Sequence, residues 1–159
     1  MLGSPAEVLT ALDTALARLR VRTLATALLA QVRQDPAQVA AGTCTVRWSN
    51  AGHPAPVLLS GGTASVLDRR PDLLLGVDHR ARRGDHELEL AAGATFLLFT
   101  DGLVERRGED LDTGTERLRA VAAELGHLPV EDLCDALLDR LGGAVDDDVA
   151  VLVVRVAGG

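Results

Sequence analysis

The sequence predicts an α+β fold in which helices and antiparallel sheets are stacked in layers. The predicted order is one helix, a series of short strands, two helices and a final strand, which differs from the strand–helix alternation of a doubly wound parallel sheet. The chain has 159 residues, a length that suits one compact domain. Its composition, 47% hydrophobic and 25% charged, excludes a disordered acidic chain. We therefore expect residues 1–159 to form a single domain.

The first helix is predicted from its start signal and its apolar spacing. Ser4 can act as the N-cap, Pro5 suits the first helical position, and Glu7 completes a capping box. The apolar residues that follow recur every three or four positions, at Val8, Leu9, Leu12, Ala15, Leu16 and Leu19. This spacing predicts a helix with one apolar face that ends near residue 19.

Two strands are predicted next. Residues 23–32 are mostly apolar, and residues 43–49 alternate between apolar and polar side chains, as expected for a strand with one buried face. We interpret residues 35–42 between them as a rather long hairpin loop. Residues 50–54 contain a Gly and a Pro, which interrupt regular structure, so a turn is predicted there.

The second half of the chain is predicted to contain more strands and two helices. Short strands are predicted at residues 57–59, 64–67, 86–90 and 95–99, and amphipathic helices at 118–125 and 130–141. Gly142 and Gly143 should end the last helix. Residues 149–156 are almost continuously apolar, which predicts a final strand that is buried on both faces.

Composition also excludes several classes of function. The formal net charge of −7 argues against a nucleic-acid-binding surface, which requires a basic stripe. No apolar run comes close to the length of about 20 residues that a membrane-spanning helix needs, and the N-terminus lacks a signal-peptide pattern. Cys44 and Cys134 lie in apolar segments and are interpreted as free thiols of a reducing compartment. We therefore expect a cytoplasmic protein without nucleic-acid or membrane partners.

Two groups of carboxylates lie at the ends of apolar strands. Asp101 follows the strand at 95–99, and Asp146, Asp147 and Asp148 precede the final strand. Hard divalent ions such as Mg²⁺ and Mn²⁺ prefer carboxylate oxygens, so the two strand ends are candidates for a metal site. Two structural alternatives remain open at this point. An Asp-Gly pair after a strand is often a plain turn, and an acidic triplet is often a solvated loop or a helix cap.

Four motifs in order give the sequence a resemblance to a known family. They are NAGHPAP at 50–56, LLGV at 74–77, FLLFTDGLVER at 96–106 and DDVAVLVV at 147–154. Together they closely resemble the bacterial branch of metal-dependent PPM-type serine/threonine phosphatases, which stage II sporulation protein E and the stressosome phosphatases typify. The resemblance extends from about residue 4 to residue 156.

The resemblance implies an αββα sandwich in which aspartates between two sheets hold a pair of Mn²⁺ or Mg²⁺ ions, and a bridging water attacks phosphoserine or phosphothreonine. Asp101 and Asp147 match metal ligands of the family. Asp148 is adjacent and is a weaker candidate, which could orient a metal-bound water. Asn50 and His53 belong to the family signature. His53 could donate to the phosphate or leaving group, or it could be structural in its turn.

One departure from the family pattern concerns the N-terminal part. The resemblance implies a Gly-Asp-Phe/Trp-Tyr-Asp element, whose first Asp bridges both metals, and an Asp-Val-x-Gly-His/Lys-Gly turn, and neither is present. We therefore expect an N-terminally truncated PPM-phosphatase sandwich that corresponds to the C-terminal two-thirds of the usual domain. Without the bridging carboxylate, one weakly bound ion is expected in place of two. Sheet edges left open would favour self-association as a homodimer or pairing with another chain.

Two functional hypotheses follow from the resemblance. The first is a phosphatase that acts on a regulatory phosphoprotein such as a phosphorylated anti-sigma-factor antagonist. The second is a catalytically silent, phosphatase-like module that binds a partner, because the bridging ligand is missing. A metal-dependent phosphoesterase of unrelated fold ranks last, since it leaves the motif at 50–54 unexplained.

Overall fold

The computed structural model describes residues 3–142 and 148–157, which form two compact units. The first unit comprises Met1–His53 and Arg69–Ala91, and the second comprises Pro54–Asp68 and Ala92–Gly159. In chain order the elements are α1 (Pro5–Arg18), β1 (Ala27–Arg33), α2 (Pro36–Ala41), β2 (Cys44–Ala51), β3 (Val57–Ser60), β4 (Thr63–Val66), β5 (His86–Leu90), β6 (Thr95–Phe99), a 3₁₀ helix (Asp101–Leu103), α3 (Leu111–Leu125), α4 (Val130–Leu141) and β7 (Val151–Arg155).

The first unit is a three-stranded antiparallel sheet with the strand order β1–β2–β5, against which α1 packs. The predicted start of α1 is confirmed, because the Ser4 hydroxyl accepts from the Glu7 N–H and the Glu7 carboxylate accepts from the Ser4 N–H. Leu9 on α1, Ala51 at the end of β2 and Leu75 form a small buried cluster. This cluster holds the helix on the sheet.

The second unit is a four-stranded antiparallel sheet with the strand order β4–β3–β6–β7. Helices α3 and α4 pack against each other, and their buried leucines join side chains of the sheet in one core. Members of this core that are at most 3% exposed include Val57, Leu97, Phe99, Leu118, Leu133, Leu137 and Leu141. The predicted combination of helices and antiparallel sheets is therefore confirmed, with a sheet and its helix layer in each unit.

The structure corrects the prediction for residues 35–42. They contain α2, a helix of six residues, where a hairpin loop was expected. Asp35 caps the helix by accepting from the Gln38 N–H, the Gln38 side chain accepts from the Asp35 N–H, and Gly42 ends it with φ of +66°. The prediction was wrong because six residues are too few for apolar periodicity, although the capping residues were readable in the sequence.

The end of β2 and the whole of β7 also differ from prediction. Strand β2 extends through Asn50 and Ala51, so the predicted turn at 50–54 begins only at Gly52, whose φ is +72°. Strand β7 is shorter than predicted, and Leu152 is 57% exposed, so the strand is not buried on both faces. This exposure fits the position of β7 at the edge of its sheet. Gly142 ends α4 as predicted, whereas Gly143 lies outside the described residues.

The cysteines and the membrane prediction can be compared with the structure directly. Cys44 is buried, Cys134 is half-buried, and both are free thiols. In residues 3–142 and 148–157, no helix has the length and apolar character that crossing a membrane requires.

Candidate functional site

Asp101 lies at the point where β6 ends and a single turn of 3₁₀ helix begins. Its backbone carbonyl accepts from the N–H groups of Val104 and Glu105 at 2.9 and 2.8 Å, which fixes the turn. Its side chain is half-buried, and its Oδ1 accepts from the Gly102 N–H at 3.1 Å. The following residues, Gly102 and Leu103, are buried. The Asp101 carboxylate is therefore held on a rigid support, as a metal ligand should be.

Thr100 connects this turn to the segment that precedes β7. The Thr100 N–H donates to the Ala150 carbonyl at 3.0 Å, and the Ala150 N–H donates to the Thr100 Oγ1 at 2.8 Å. The same hydroxyl donates to the Asp148 carbonyl at 3.1 Å. These bonds continue the antiparallel pairing of β6 and β7, in which Phe99 lies opposite Val151. Asp101 and Asp148 therefore lie at the same end of the sheet.

The carboxylates at this end have the chemistry of a hard divalent cation site. Asp101 and Asp148 carry carboxylate oxygens, and among the described residues no hydrogen bond is donated to Oδ2 of Asp101. Asp146 and Asp147, which precede Asp148 in the sequence, lie outside the described residues. Mg²⁺ is commonly held by one or two carboxylates with water at its other positions, so this donor set fits one such ion.

The described residues do not supply a ligand set for two ions. Within residues 3–142 and 148–157, no three His, Cys, Asp or Glu side chains come together in a group that could hold a metal ion. The second unit has six arginines and 15 acidic residues in its sequence, a net charge of −9. This excess of negative charge favours cation binding in the second unit through its summed field.

Asn50 and His53 lie in the first unit, and the Asn50 side chain hydrogen-bonds to the His53 backbone across the turn at Gly52. The Asn50 Nδ2 donates to the His53 carbonyl at 2.8 Å, and the His53 N–H donates to the Asn50 Oδ1 at 2.7 Å. The His53 Nδ1 lies 3.1 Å from the Thr26 hydroxyl oxygen. Gly52 is required between them, because a Cβ there would lie 2.5 Å from the Leu74 Cδ2 and its φ is +72°. Both polar groups of the Asn50 side chain are thus used in holding this turn.

Sequence reasoning missed Thr100, which joins the two segments that carry the carboxylates. Its partners are about 50 positions away in the chain, so only the pairing of β6 with β7 reveals its role. It also missed the buried ion pair of the first unit, in which the Arg83 Nη2 lies 2.6 Å from the Asp13 Oδ2. The sequence contained a signal that Asp13 is buried, because this residue lies four positions after Leu9, on the apolar face of α1.

Comparison with known proteins agrees with the motifs. The sequence profile of a family described as Stage II sporulation protein E (SpoIIE) matches residues 2–157. No curated protein matches the sequence.

The chain is similar in fold to several solved structures. The chain is similar to a structure of the RsbU and RsbW domains of a Mycobacterium tuberculosis protein, with 26% identity, a TM-score of 0.79, and coverage of 98% of this chain and 42% of that chain. For the SiaA PP2C domain of Pseudomonas aeruginosa, the identity is 21%, the TM-score is 0.73, and the coverage is 96% of this chain and 61% of that chain. For the Mn-presoaked phosphatase domain of SpoIIE from Bacillus subtilis, the identity is 18%, the TM-score is 0.58, and the coverage is 96% of this chain and 66% of that chain. The fold is therefore of the PP2C phosphatase type, and the chain spans less than two thirds of the first two structures.

Proposed function

This chain belongs to the Stage II sporulation protein E family, and from that membership we propose that residues 1–159 form one phosphatase domain that hydrolyses phosphoserine or phosphothreonine with the help of a divalent metal ion. The observation that carries this proposal is the hydrogen-bonded junction of Thr100 with residues 148–150, which supports two aspartates at one end of a sheet. The proposed substrate is a regulatory phosphoprotein, such as a phosphorylated anti-sigma-factor antagonist, because the four sequence motifs resemble phosphatases of that kind.

The proposed ligands of the metal ion are Asp101 and Asp148, together with Asp147, which lies outside the described residues. When bound, Mn²⁺ or Mg²⁺ supplies a water of lowered pKa and neutralises charge on the phosphoryl group. The role of the protein residues is to hold the proposed ligands in position. In this proposal the 3₁₀ turn orients the Asp101 carboxylate, and the hydrogen bond from Thr100 to the Asp148 carbonyl connects the segment of Asp148 to the end of β6. One ion is proposed in place of two, because the sequence has no match to the family element whose Asp bridges two metal ions.

The test is hydrolysis of p-nitrophenyl phosphate by the purified chain at a series of Mn²⁺ concentrations. We expect Asp101→Asn to lower turnover by about 100-fold or more, because it removes a charged ligand. Thr100→Val should raise the Mn²⁺ concentration that gives half-maximal activity by about 10- to 100-fold, as losses of ligand-supporting residues do. Asp139→Asn is the matched control, since Asp139 is an exposed carboxylate on α4. Equal Mn²⁺-dependent turnover in Asp101→Asn and the wild-type chain would contradict the proposed ligand.

The second candidate is a catalytically silent module that binds a partner protein. It is favoured by the lack of a three-ligand cluster in the described parts of the chain. The same assay separates the two candidates. A folded wild-type chain, verified by circular dichroism, that shows no Mn²⁺-dependent turnover would support the silent module and contradict the enzyme.

A further inference from the structure

The first unit carries a concentration of exposed apolar side chains. Of the eleven large apolar residues that are exposed in the described structure, five lie in two short segments of this unit. They are Leu19, Val21, Leu24, Leu73 and Val77, which are 42% to 75% exposed and which we call the apolar patch. Single exposed leucines need no explanation, but a contiguous apolar group marks an interaction site.

The two segments of the patch run side by side. Ala25 and Leu75 exchange two backbone hydrogen bonds, of 3.2 and 2.9 Å. Gly76 lies so close to Thr23 that a Cβ at residue 76 would overlap the Thr23 carbonyl, and it would lie 3.6 Å from the Leu24 Cδ2. The two chain segments that carry the five apolar side chains are therefore adjacent to each other.

A buried ion pair holds the backbone of this surface in place. Asp13 accepts from the Gly76 N–H at 2.8 Å and from the Arg83 guanidinium at 2.6 Å. Arg83 also donates to the Leu73 carbonyl at 2.9 Å. The Asp13 and Arg83 side chains are 2% and 1% exposed. The patch is thus presented on a rigid frame, which reduces the entropy lost when a partner binds.

Arginines accompany the patch. Arg18, Arg20 and Arg22 are exposed and alternate with its apolar residues, and the ion pairs among the described residues involve other arginines. The sequence of the first unit contains ten arginines and eight acidic residues, a net charge of +2 in a chain whose total is −7. On the other segment Asp72 and Asp78 flank Leu73 and Val77, and the three arginines outnumber these two aspartates, so the charge complementary to this surface is negative.

We propose that the apolar patch and its three arginines dock an acidic segment of another protein, one that presents aliphatic side chains flanked by Asp or Glu. The patch lacks the aromatic side chains that membrane-interface anchors use, so a protein partner is favoured over a lipid surface. The proposal is independent of the phosphatase activity, since it concerns a different unit from Asp101.

The test measures fluorescence anisotropy of a labelled helical peptide that carries leucines on one face, flanked by glutamates. A matched peptide replaces every glutamate by lysine. We expect the glutamate peptide to bind, and the lysine peptide to bind at least tenfold more weakly. Leu24→Glu and Val77→Glu should each weaken binding of the glutamate peptide at least tenfold. Val39→Glu is the control, because Val39 is 60% exposed on α2 of the same unit, outside the patch.

Several results would overturn this proposal. The first is equal binding of the two peptides, and the second is binding that Leu24→Glu and Val77→Glu leave unchanged. A sedimentation-velocity experiment could give a third result that overturns the proposal. A dimer that Leu24→Glu dissociates and Val39→Glu preserves would make a second copy of this chain the occupant. Binding to phosphatidylglycerol vesicles without binding to the peptide would make the occupant a membrane. Circular dichroism of each variant checks that the fold is retained.

Discussion

The buried ion pair between Asp13 and Arg83 makes a strong prediction about stability. Asp13→Ala leaves the Arg83 cation without its carboxylate in a site where both side chains are at most 2% exposed. Among the described residues the Arg83 Nε already has no hydrogen-bond partner, and the Gly76 N–H would lose its acceptor as well. Removing one partner of a buried pair costs about 3–5 kcal/mol. For a chain of this size, that corresponds to a fall in Tm of about 6–20 °C.

The measurement is urea unfolding followed by tryptophan fluorescence. The only tryptophan, Trp48, is 2% exposed on β2 and lies in the same unit as Asp13. Glu87→Ala is the matched control, because the Glu87–Arg47 pair is exposed on the same sheet and its loss should cost less than about 1 kcal/mol. A double variant, Asp13→Leu with Arg83→Met, should recover much of the loss, since it removes both charges.

Two results would refute this reasoning. One is a free energy of unfolding that Asp13→Ala and Glu87→Ala lower equally. The other is a double variant that is no more stable than Asp13→Ala, which would mean that the unpaired Arg83 charge is not the cause of the loss.

Two further predictions concern a glycine and a helix cap. Gly76→Ala should lower the free energy of unfolding by more than the cost of about 1 kcal/mol for a left-handed backbone, because φ is +86° and the new Cβ would overlap the Thr23 carbonyl. Gly93→Ala, with φ of +81° and open space around it, should show only the backbone cost in the same urea experiment, and equal losses would contradict the overlap. Hydrogen bonds from Thr113 hold the pKa of Asp110 below its ordinary value of 3.8. The contribution of Asp110 to stability is therefore present above that value and is lost as pH falls through the lower pKa of the folded state. A carbon-detected NMR titration with a midpoint above 3.8 for Asp110 would contradict this.

The fold was largely predictable where local rules decide the structure. The capping box at Ser4 and the alternation of β2 and β5 were readable because they depend on neighbours within a few residues. The helix α2 was missed because it is a helix of only six residues between two strands. The exposure of β7 was also missed, because an apolar sequence does not reveal whether a strand lies at the edge of its sheet.

The residue types of the candidate site were predictable from the sequence, whereas the hydrogen bonds that join its segments were not. Asp101 stands out because it follows an apolar strand and precedes a glycine. The role of Thr100 depends on a partner strand about 50 residues later, and the Asp13–Arg83 pair joins residues 70 positions apart. Such contacts arise from tertiary packing, which a local pattern does not encode. The assignment of Asp147 as a ligand stays a prediction, since this residue lies outside the described part of the chain.

The most direct test of the proposed metal site is a titration of the purified chain with Mn²⁺, followed by electron paramagnetic resonance. The signal of free aqueous Mn²⁺ decreases when the ion binds, so the measurement needs no substrate. We predict saturable binding of one ion to the wild-type chain, at least tenfold weaker binding to Asp101→Asn, and unchanged binding to Asp139→Asn. Equal binding to the wild-type chain and to Asp101→Asn would contradict the central claim that the end of β6 holds the metal.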